Sequence, residues 1–421
     1  MPAKKNPSVS FIIATHNRRE TVVNTLTRLQ TCGLDRDDFE IMVIDNASTD
    51  GTAEAVSPLC DVLVPSRKNL GSCAKSLGVD RARGPYLVFL DDDAIPQPGS
   101  MVRMIRHFEE EPHLAAAGFT IHLPDGRQEA SALPGVFHGC TVGLRADALR
   151  RAGNLDRSFF MQAEEYDLSF RLVNAGWSCE VFDDLHADHL KTPQARRSDR
   201  VTFLNVRNNL RLISRYLPAE AATVYRQDWL DRYRLLAEID GHRASFDRGR
   251  RAARFACMIE RLSYRRWRLC PPAFEYFFRW EMVLNRMQEL AAPGLRTVIL
   301  ADLGKNIYPF FRAARAVGVR IAAIADDRFG SGSQYWYRGI PVLPFTDAVR
   351  HEADAIVVSN MARPFAAETA RRCRLQSRLP VHDWFGEPAD SVEAESDPAS
   401  ESADGRSIES AATHDVQAVT V

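Results

Sequence analysis

From Val9 to about Gly118, short runs of β-branched and apolar residues alternate with stretches of helical period, the pattern of parallel strands joined by crossover helices. The runs predict strands over 9–14, 40–44, 62–64 and 86–90. After the first run, Thr15, His16 and Asn17 supply a helix start, and Val22, Val23, Leu26 and Leu29 recur at three- and four-residue spacing. Asn46, Ser48, Thr49, Asp50 and Gly51 make a turn that opens the next helix. From Phe119 to about Pro218 the pattern loosens, predicting short apolar pieces, loops and one amphipathic helix over about 164–175, ended by Gly176. Residues 219–292 have almost no β pattern and read as helical. After Pro293-Gly294 alternation resumes, with strands expected over 297–301, 319–325, 340–343 and 355–358 and a helix over 308–316. The expected organisation is an α/β domain over 8–217, a helical block over 218–293, a small Rossmann-like α/β domain over 294–385 and an unfolded tail over 386–421.

A chain of 421 residues with 45% hydrophobic and 26% charged positions has ordinary globular proportions, which excludes disorder as the whole account. Its 54 basic and 55 acidic side chains nearly cancel, so no global field gathers nucleic acid and no nucleic-acid partner is expected. The cancellation hides a split. Between Gly386 and Val421 nine carboxylates face one Arg406, leaving about −8 on the tail and about +7 on the rest. Few large apolar side chains occur in that tail, too few to offset ordering entropy. The 8 cysteines lie far apart with no C-x-x-C pair, which suggests a reduced, cytoplasmic chain. The first eight residues carry no apolar run of a secretory signal, and no stretch reaches the roughly 18 apolar residues of a spanning helix. Between His242 and Leu269 nine arginines face only Asp247 and Glu260, with Phe255, Trp267 and Phe274 nearby. That block is either a packed, solvated linker or a peripheral contact with an anionic membrane surface or lipid-linked substrate.

In an open parallel sheet ligands collect at the carboxyl ends of strands. The first predicted strand ends in Thr15-His16-Asn17-Arg18, the second in Asp45-Asn46-Ala47-Ser48 and the fourth in Asp91-Asp92-Asp93. Three consecutive carboxylates repel one another unless they are exposed or neutralised, and a hard divalent ion with a diphosphate completing its shell would neutralise them. A second acidic cluster, Glu164, Glu165 and Asp167, suits the first turn of a helix as a cap or, beside a pocket, as a general base. Farther on, either His186 or His189, set among three aspartates, could reach a metal.

Residues 8–215 resemble the family 2 glycosyltransferases, inverting enzymes of the GT-A nucleotide-diphospho-sugar transferase fold. The resemblance rests on the order of Val9-Ser10-Phe11-Ile12-Ile13-Ala14-Thr15-His16-Asn17-Arg18, Val43-Ile44-Asp45-Asn46-Ala47-Ser48, Asn69-Leu70-Gly71, Phe89-Leu90-Asp91-Asp92-Asp93 and Glu164-Glu165-Tyr166-Asp167-Leu168. It implies that Thr15, Asn17, Arg18, Asp45, Asn69, Lys75, Asp91 and Asp92 contact a nucleotide-diphosphate sugar donor. It further implies that Asp93 and His189 hold Mg²⁺ or Mn²⁺ and that Glu165 is the catalytic base. Two positions depart from the family pattern. Ala74-Lys75-Ser76 stands where Ala-Arg-Asn is common, so a point charge replaces a bidentate fork. Glu165 replaces an aspartate, moving the carboxylate by on the order of 1 Å.

The implied reaction is a single displacement from the donor onto a hydroxyl of a glycan or lipid-linked acceptor, at the cytoplasmic side of a membrane. Two other readings use the same residues. A sugar nucleotidyltransferase would also place aspartates at strand ends, but its glycine-rich signature is missing near the first strand. A non-catalytic scaffold would keep the fold and lend its later blocks to an assembly. In the last block, Ile299-Leu300-Ala301-Asp302-Leu303-Gly304-Lys305-Asn306-Ile307 resembles a Rossmann-type strand and turn yet lacks the G-x-G-x-x-G glycines, with Asp326 falling 22 residues after Gly304. It is either an interaction module or a binder of a nucleotide or other small ligand.

Overall fold

The four apolar runs of the first block become β1 (Val9–Thr15), β2 (Phe39–Asp45), β3 (Val62–Pro65) and β4 (Tyr86–Asp91), parallel neighbours in the order β3-β2-β1-β4. A computed structural model describes residues 6–190, 198–263, 267–330 and 335–384. The acidic tail and Tyr264, Arg265 and Arg266 of the basic block lie outside the described residues. Each of the four strands runs one residue past its expected carboxyl end. Thr15 pairs with Asp45 and Ala14 with Asp91, so the polar residues expected just beyond the strands are still in register at one edge. Period-two alternation puts Ile12 in one apolar layer and Phe11 and Ile13 in the other, so both faces of β1 are covered.

The sheet continues through strands the sequence pattern left unresolved: β5 (Ala94–Pro96), β6 (Leu114–His122), β7 (Gln128–Glu129), β8 (Thr141–Arg145) and β9 (Ser178–His189). Among the described residues it has nine strands, with β8 antiparallel to β4 and β6, β9 parallel to β6, and β5 antiparallel to β9. This is the mixed α/β arrangement expected of the GT-A class. The later strands escaped notice for physical reasons. In β6 three small alanines follow Leu114, and the apolar positions of β9 are interrupted by Glu180, Asp183, Asp184 and Asp188.

Five helices accompany this sheet among the described residues: α1 (Arg19–Leu29), α2 (Thr52–Val56), α3 (Ser100–Glu110), α4 (Ala146–Ala152) and α5 (Glu164–Asn174). The helical block comprises α6 (Asp199–Tyr216), α7 (Ala219–Ile239), α8 (Arg243–Ser263), α9 (Pro271–Phe278) and α10 (Trp280–Ala291). It therefore starts some twenty residues earlier than the loss of β pattern at 218 suggested. Ser198 caps α6 by accepting from the Val201 amide. Helix α6 hid from the pattern because Asn208, Asn209, Arg211 and Arg215 occupy buried positions where an amphipathic helix would show apolar residues. Arg215 bonds Asp167 and Glu260, Arg211 bonds Glu260, and Arg171 bonds Asp167, so one buried ionic network ties α5, α6 and α8 together.

A second sheet, β10 (Thr297–Ala301), β11 (Arg320–Ala325), β12 (Tyr335–Tyr337), β13 (Ile340–Leu343), β14 (Ala355–Val358) and β15 (Val381–His382), runs in the order β12-β13-β11-β10-β14-β15. All neighbours are parallel except β12 with β13. Helix α11 (Tyr308–Ala316) follows β10. Three of these strands and α11 keep the bounds read from the sequence; the strands are short apolar runs bounded by Arg296 and Asp302, by Gly339 and Pro344, and by Asp354 and Ser359, which leaves little choice of end.

Candidate active site

The acidic triplet closes β4 and turns at once into β5, whose Ala94 pairs with His189 at the end of β9. That pairing brings the imidazole to the triplet. Asp91, Asp93 and His189 each offer a ligand atom, all within 4.8 Å of one another. Two carboxylate oxygens and an imidazole nitrogen suit a small divalent cation such as Mg²⁺ or Mn²⁺. Asp92 is not among them. Thr15 Oγ1 donates to its carboxylate at 2.7 Å, Arg18 pairs with it at 2.7 Å, and Thr25 Oγ1 donates to its carbonyl at 2.7 Å. His186 is also elsewhere, its Nδ1 lying 3.1 Å from His122 Nε2.

Neighbours set the charge of the triplet. Burial pushes the Asp92 carboxyl up to about 6, with Arg18 offsetting part of the effect. Burial acts on Asp93 in the same sense, but hydrogen bonds and charge from His189 and Arg18 outweigh it and hold Asp93 well below the usual carboxylate range. Arg18 reaches Asp93 at 2.8 Å and His189 Nε2 reaches it at 3.2 Å. Glu129, on β7, lies 2.9 Å from His189 Nδ1 and so aims Nε2 at the triplet. No sequence signal marked Glu129, an isolated acid in a loop-like stretch. With His138 and Cys140 it forms an adjoining group of metal-competent side chains, joined to the first through His189. Lys75 is buried, with its ammonium 2.5 Å from Asp91 and 3.0 Å from the Gly139 carbonyl.

At the same edge of the sheet, where β1 and β2 end, Asp45 accepts from the Ser48 amide at 3.2 Å. Asn17 sits at φ 51° and accepts from the Thr49 amide at 2.8 Å, joining the turns that follow β1 and β2. Asn69 accepts from the Asn46 side chain at 3.1 Å and from the Gly71 amide at 2.8 Å. Gly71 is forced by contact: a Cβ there would fall 2.2 Å from the Phe160 carbonyl oxygen.

Phe160, Gln162 and Ala163, just before α5, all have φ near +70°. Left-handed backbone at three non-glycine residues costs of order 1–3 kcal/mol each and persists only where the surroundings impose it. Asn208, fully buried on α6, imposes it by donating to the carbonyls of Phe159, Met161 and Gln162 at 3.0, 2.9 and 2.7 Å. The strained turn delivers the carboxylates of α5 to three different environments. Asp167 is fully buried between Arg171, Arg215 and the Tyr216 hydroxyl, a structural ion pair. Glu164 is buried and accepts from Ser72. Glu165 is half-buried; burial and the adjacent Glu164 push its carboxyl up to about 8.

Residues 10–147 match the family model described as "Glycosyl transferase family 2". That match covers about a third of the chain. It spans β1 to the start of α4 and contains the triplet, Asp45 and Lys75. Glu165 and His189 lie beyond it. The poly-β-1,6-N-acetyl-D-glucosamine synthase of Staphylococcus aureus (strain COL) is 29% identical over 113 residues, 26% of this chain and 27% of the relative. Glycosyltransferase AglE of Haloferax volcanii is 28% identical over 96 residues, 21% of this chain and 32% of the relative. The chain thus spans about a third or less of the curated relatives it matches. Among solved structures, the mannosyltransferase PcManGT from Pyrobaculum calidifontis, in complex with GDP-Man and Mn²⁺, aligns with TM-score 0.41 and 16% identity over 61% of this chain and 88% of that one. S. aureus TarS aligns with TM-score 0.39 and 14% identity over 61% of this chain and 55% of that one.

Proposed function

We propose that the chain is an inverting glycosyltransferase that moves a sugar from a nucleotide diphosphate to a hydroxyl of a glycan or lipid-linked acceptor. The observation that carries this reading is the juxtaposition of Asp91, Asp93 and His189 at the same sheet edge as Thr15 and Asp45, within a family 2 segment. Thr15, Asn17, Asp45 and Asn69 line the nucleoside side, and Arg18 and Lys75 place positive charge beside the phosphates. Asp93, His189 and Asp91 would hold Mg²⁺ or Mn²⁺, which when bound acts as a Lewis acid toward the leaving diphosphate. Glu165 takes the acceptor hydroxyl's proton as that oxygen bonds to the anomeric carbon and the bond to the diphosphate breaks. Of the three α5 carboxylates, Asp167 is committed to arginines and Glu164 is turned to Ser72, so we assign this work to Glu165, whose charged neighbours are Glu164 and Lys305. A carboxyl raised towards neutral pH is a stronger base than an ordinary glutamate and still ionises near physiological pH.

The test is a panel of UDP-glucose, UDP-N-acetylglucosamine and GDP-mannose with and without Mn²⁺. We expect Mn²⁺-stimulated release of nucleoside diphosphate from one of them, detectable as hydrolysis before the acceptor is known. Pyrophosphate release from a nucleoside triphosphate and sugar phosphate would instead make the chain a nucleotidyltransferase, and neither product would support a scaffold.

The lipid-side part of the proposal rests on α8. Phe255, Met258, Ile259 and Leu262 are 69%, 54%, 42% and 71% exposed, at the spacing of one helix face. Exposed Arg248 and Arg251 extend the same face, and Arg254 and Arg261 flank it. Among the described residues no helix is long and apolar enough to cross a membrane, so the contact would be a surface one. The chain is expected to sediment with phosphatidylglycerol-containing vesicles and not with pure phosphatidylcholine. Phe255→Ser combined with Leu262→Ser should abolish that sedimentation; retention by the double variant would remove the membrane from the proposal.

A further inference from the structure

The loop after β10 lies at the carboxyl end of a central parallel strand, where a Rossmann-type unit would bind a ligand. Here it is buried in the helical block instead. Arg232 donates to the Leu303 carbonyl at 2.5 Å, Trp229 Nε1 to the Lys305 carbonyl at 2.9 Å, and the Tyr225 hydroxyl to Asn306 at 2.6 Å. Lys305 is only 4% exposed. Its ammonium donates to Asn209 Oδ1 at 2.8 Å and lies 4.2 Å from the ring centre of Tyr166 and 4.3 Å from that of Trp229. Tyr166 follows Glu165 in the first turn of α5. A methionine would fill the same aromatic slot without the desolvation cost of a buried charge, so packing alone does not account for a lysine here.

We propose that Lys305 is a positioning residue for Glu165, so that the unit built on the second sheet completes the transferase site through its first strand-end loop. This rests on the reading of Glu165 as the base. The groups that face that carboxyl are Glu164 and Tyr166 on its own helix, Tyr233 from α7 and Lys305 itself, with Arg232 of α7 acting on Tyr166, Tyr233 and Lys305. Lys305 and Glu165 favour each other's charged forms: burial lowers the lysine to about 7, and the carboxylate opposes that fall. The cation therefore keeps Glu165 easier to ionise than burial beside Glu164 would otherwise allow.

The experiment compares the parent with Lys305→Met and Glu165→Gln. A carboxyl band that disappears in Glu165→Gln is titrated by difference infrared spectroscopy, alongside the pH profile of Mn²⁺-dependent donor hydrolysis and the melting temperature. In Lys305→Met the band's midpoint and the acid limb of kcat should both move up by about one pH unit, and kcat at pH 7 should fall about tenfold. KM for the donor should hold within about twofold and melting should be unchanged or raised. A parental midpoint in Lys305→Met overturns the proposal. Should that variant fail to fold, Asn209→Leu, which removes the ammonium's oxygen acceptor and favours neutral lysine, must move the midpoint the same way or the proposal falls. Full turnover by Glu165→Gln would defeat the base assignment separately, whatever the lysine variants do.

Discussion

Glu165→Gln is expected to lower sugar transfer about a thousandfold while leaving binding of the nucleoside diphosphate and Mn²⁺ within about twofold of the parent. The amide keeps the shape of the side chain and its hydrogen-bonding reach but cannot accept the acceptor's proton. Misfolding is a poor alternative explanation of such a loss. A carboxyl whose folded pKa lies above its unfolded value binds its proton more tightly in the fold, so its ionisation costs stability as pH rises from about 4.3, the ordinary glutamate value, towards 8. Glutamine removes that penalty, and the variant should melt at or above the parent temperature at pH 8. Parental kcat should rise with pH through the same region, because only the ionised form accepts a proton. The decisive measurements are single-turnover rates and calorimetric titration of the diphosphate. A variant that transfers at the parental rate would sink the base assignment, and Asp167 could not inherit it without breaking its pairs with Arg171 and Arg215.

The sequence made local features legible and left long-range ones hidden. Strand ends could be read because an apolar run stopping at Thr15, Asp45 or Asp91 is a one-dimensional signal, and the register then sets these residues side by side. Asn69-Leu70-Gly71 was recognisable as a motif, but its reason was not: Gly71 is required by the Phe160 carbonyl, almost ninety positions away. Asn208, which holds the strained turn ahead of Glu165, is a buried amide in a helix whose polar interior erased the expected periodicity. Glu129 and Lys305 gave no local sign of their role, since one acts through His189 and the other through an aromatic slot assembled from α5 and α7. The basic block shows the same division. Its arginine density was visible, yet only the fold separates Glu260, buried with Arg211 and Arg215, from the exposed face of Phe255 and Leu262.

Asp93→Asn should abolish the effect of Mn²⁺ on nucleoside diphosphate affinity, weakening binding in the presence of the ion on the order of a hundredfold. The reason lies in the division of labour among three adjacent acids. Asp91 is neutralised by Lys75 at 2.5 Å, and Asp92 is taken up by Thr15 and Arg18, so each has a protein partner for its charge. Asp93 is held ionised by His189 and Arg18 and shares a compact set of ligand atoms with Asp91 and His189. Replacing it by an amide removes a full negative charge from that set while preserving shape. The imidazole then keeps Glu129 as its carboxylate partner, which should limit any loss of stability. Asp92→Asn is the control that makes the prediction specific, because its carboxylate lies outside the ligand set and its loss should leave the Mn²⁺ dependence in place. Calorimetric titration of UDP and GDP with and without Mn²⁺ distinguishes the two. Should Asp92→Asn erase the metal effect and Asp93→Asn spare it, the cation would be held on the Arg18 side of the triplet, and His189 would have to be dropped from the residues that hold it.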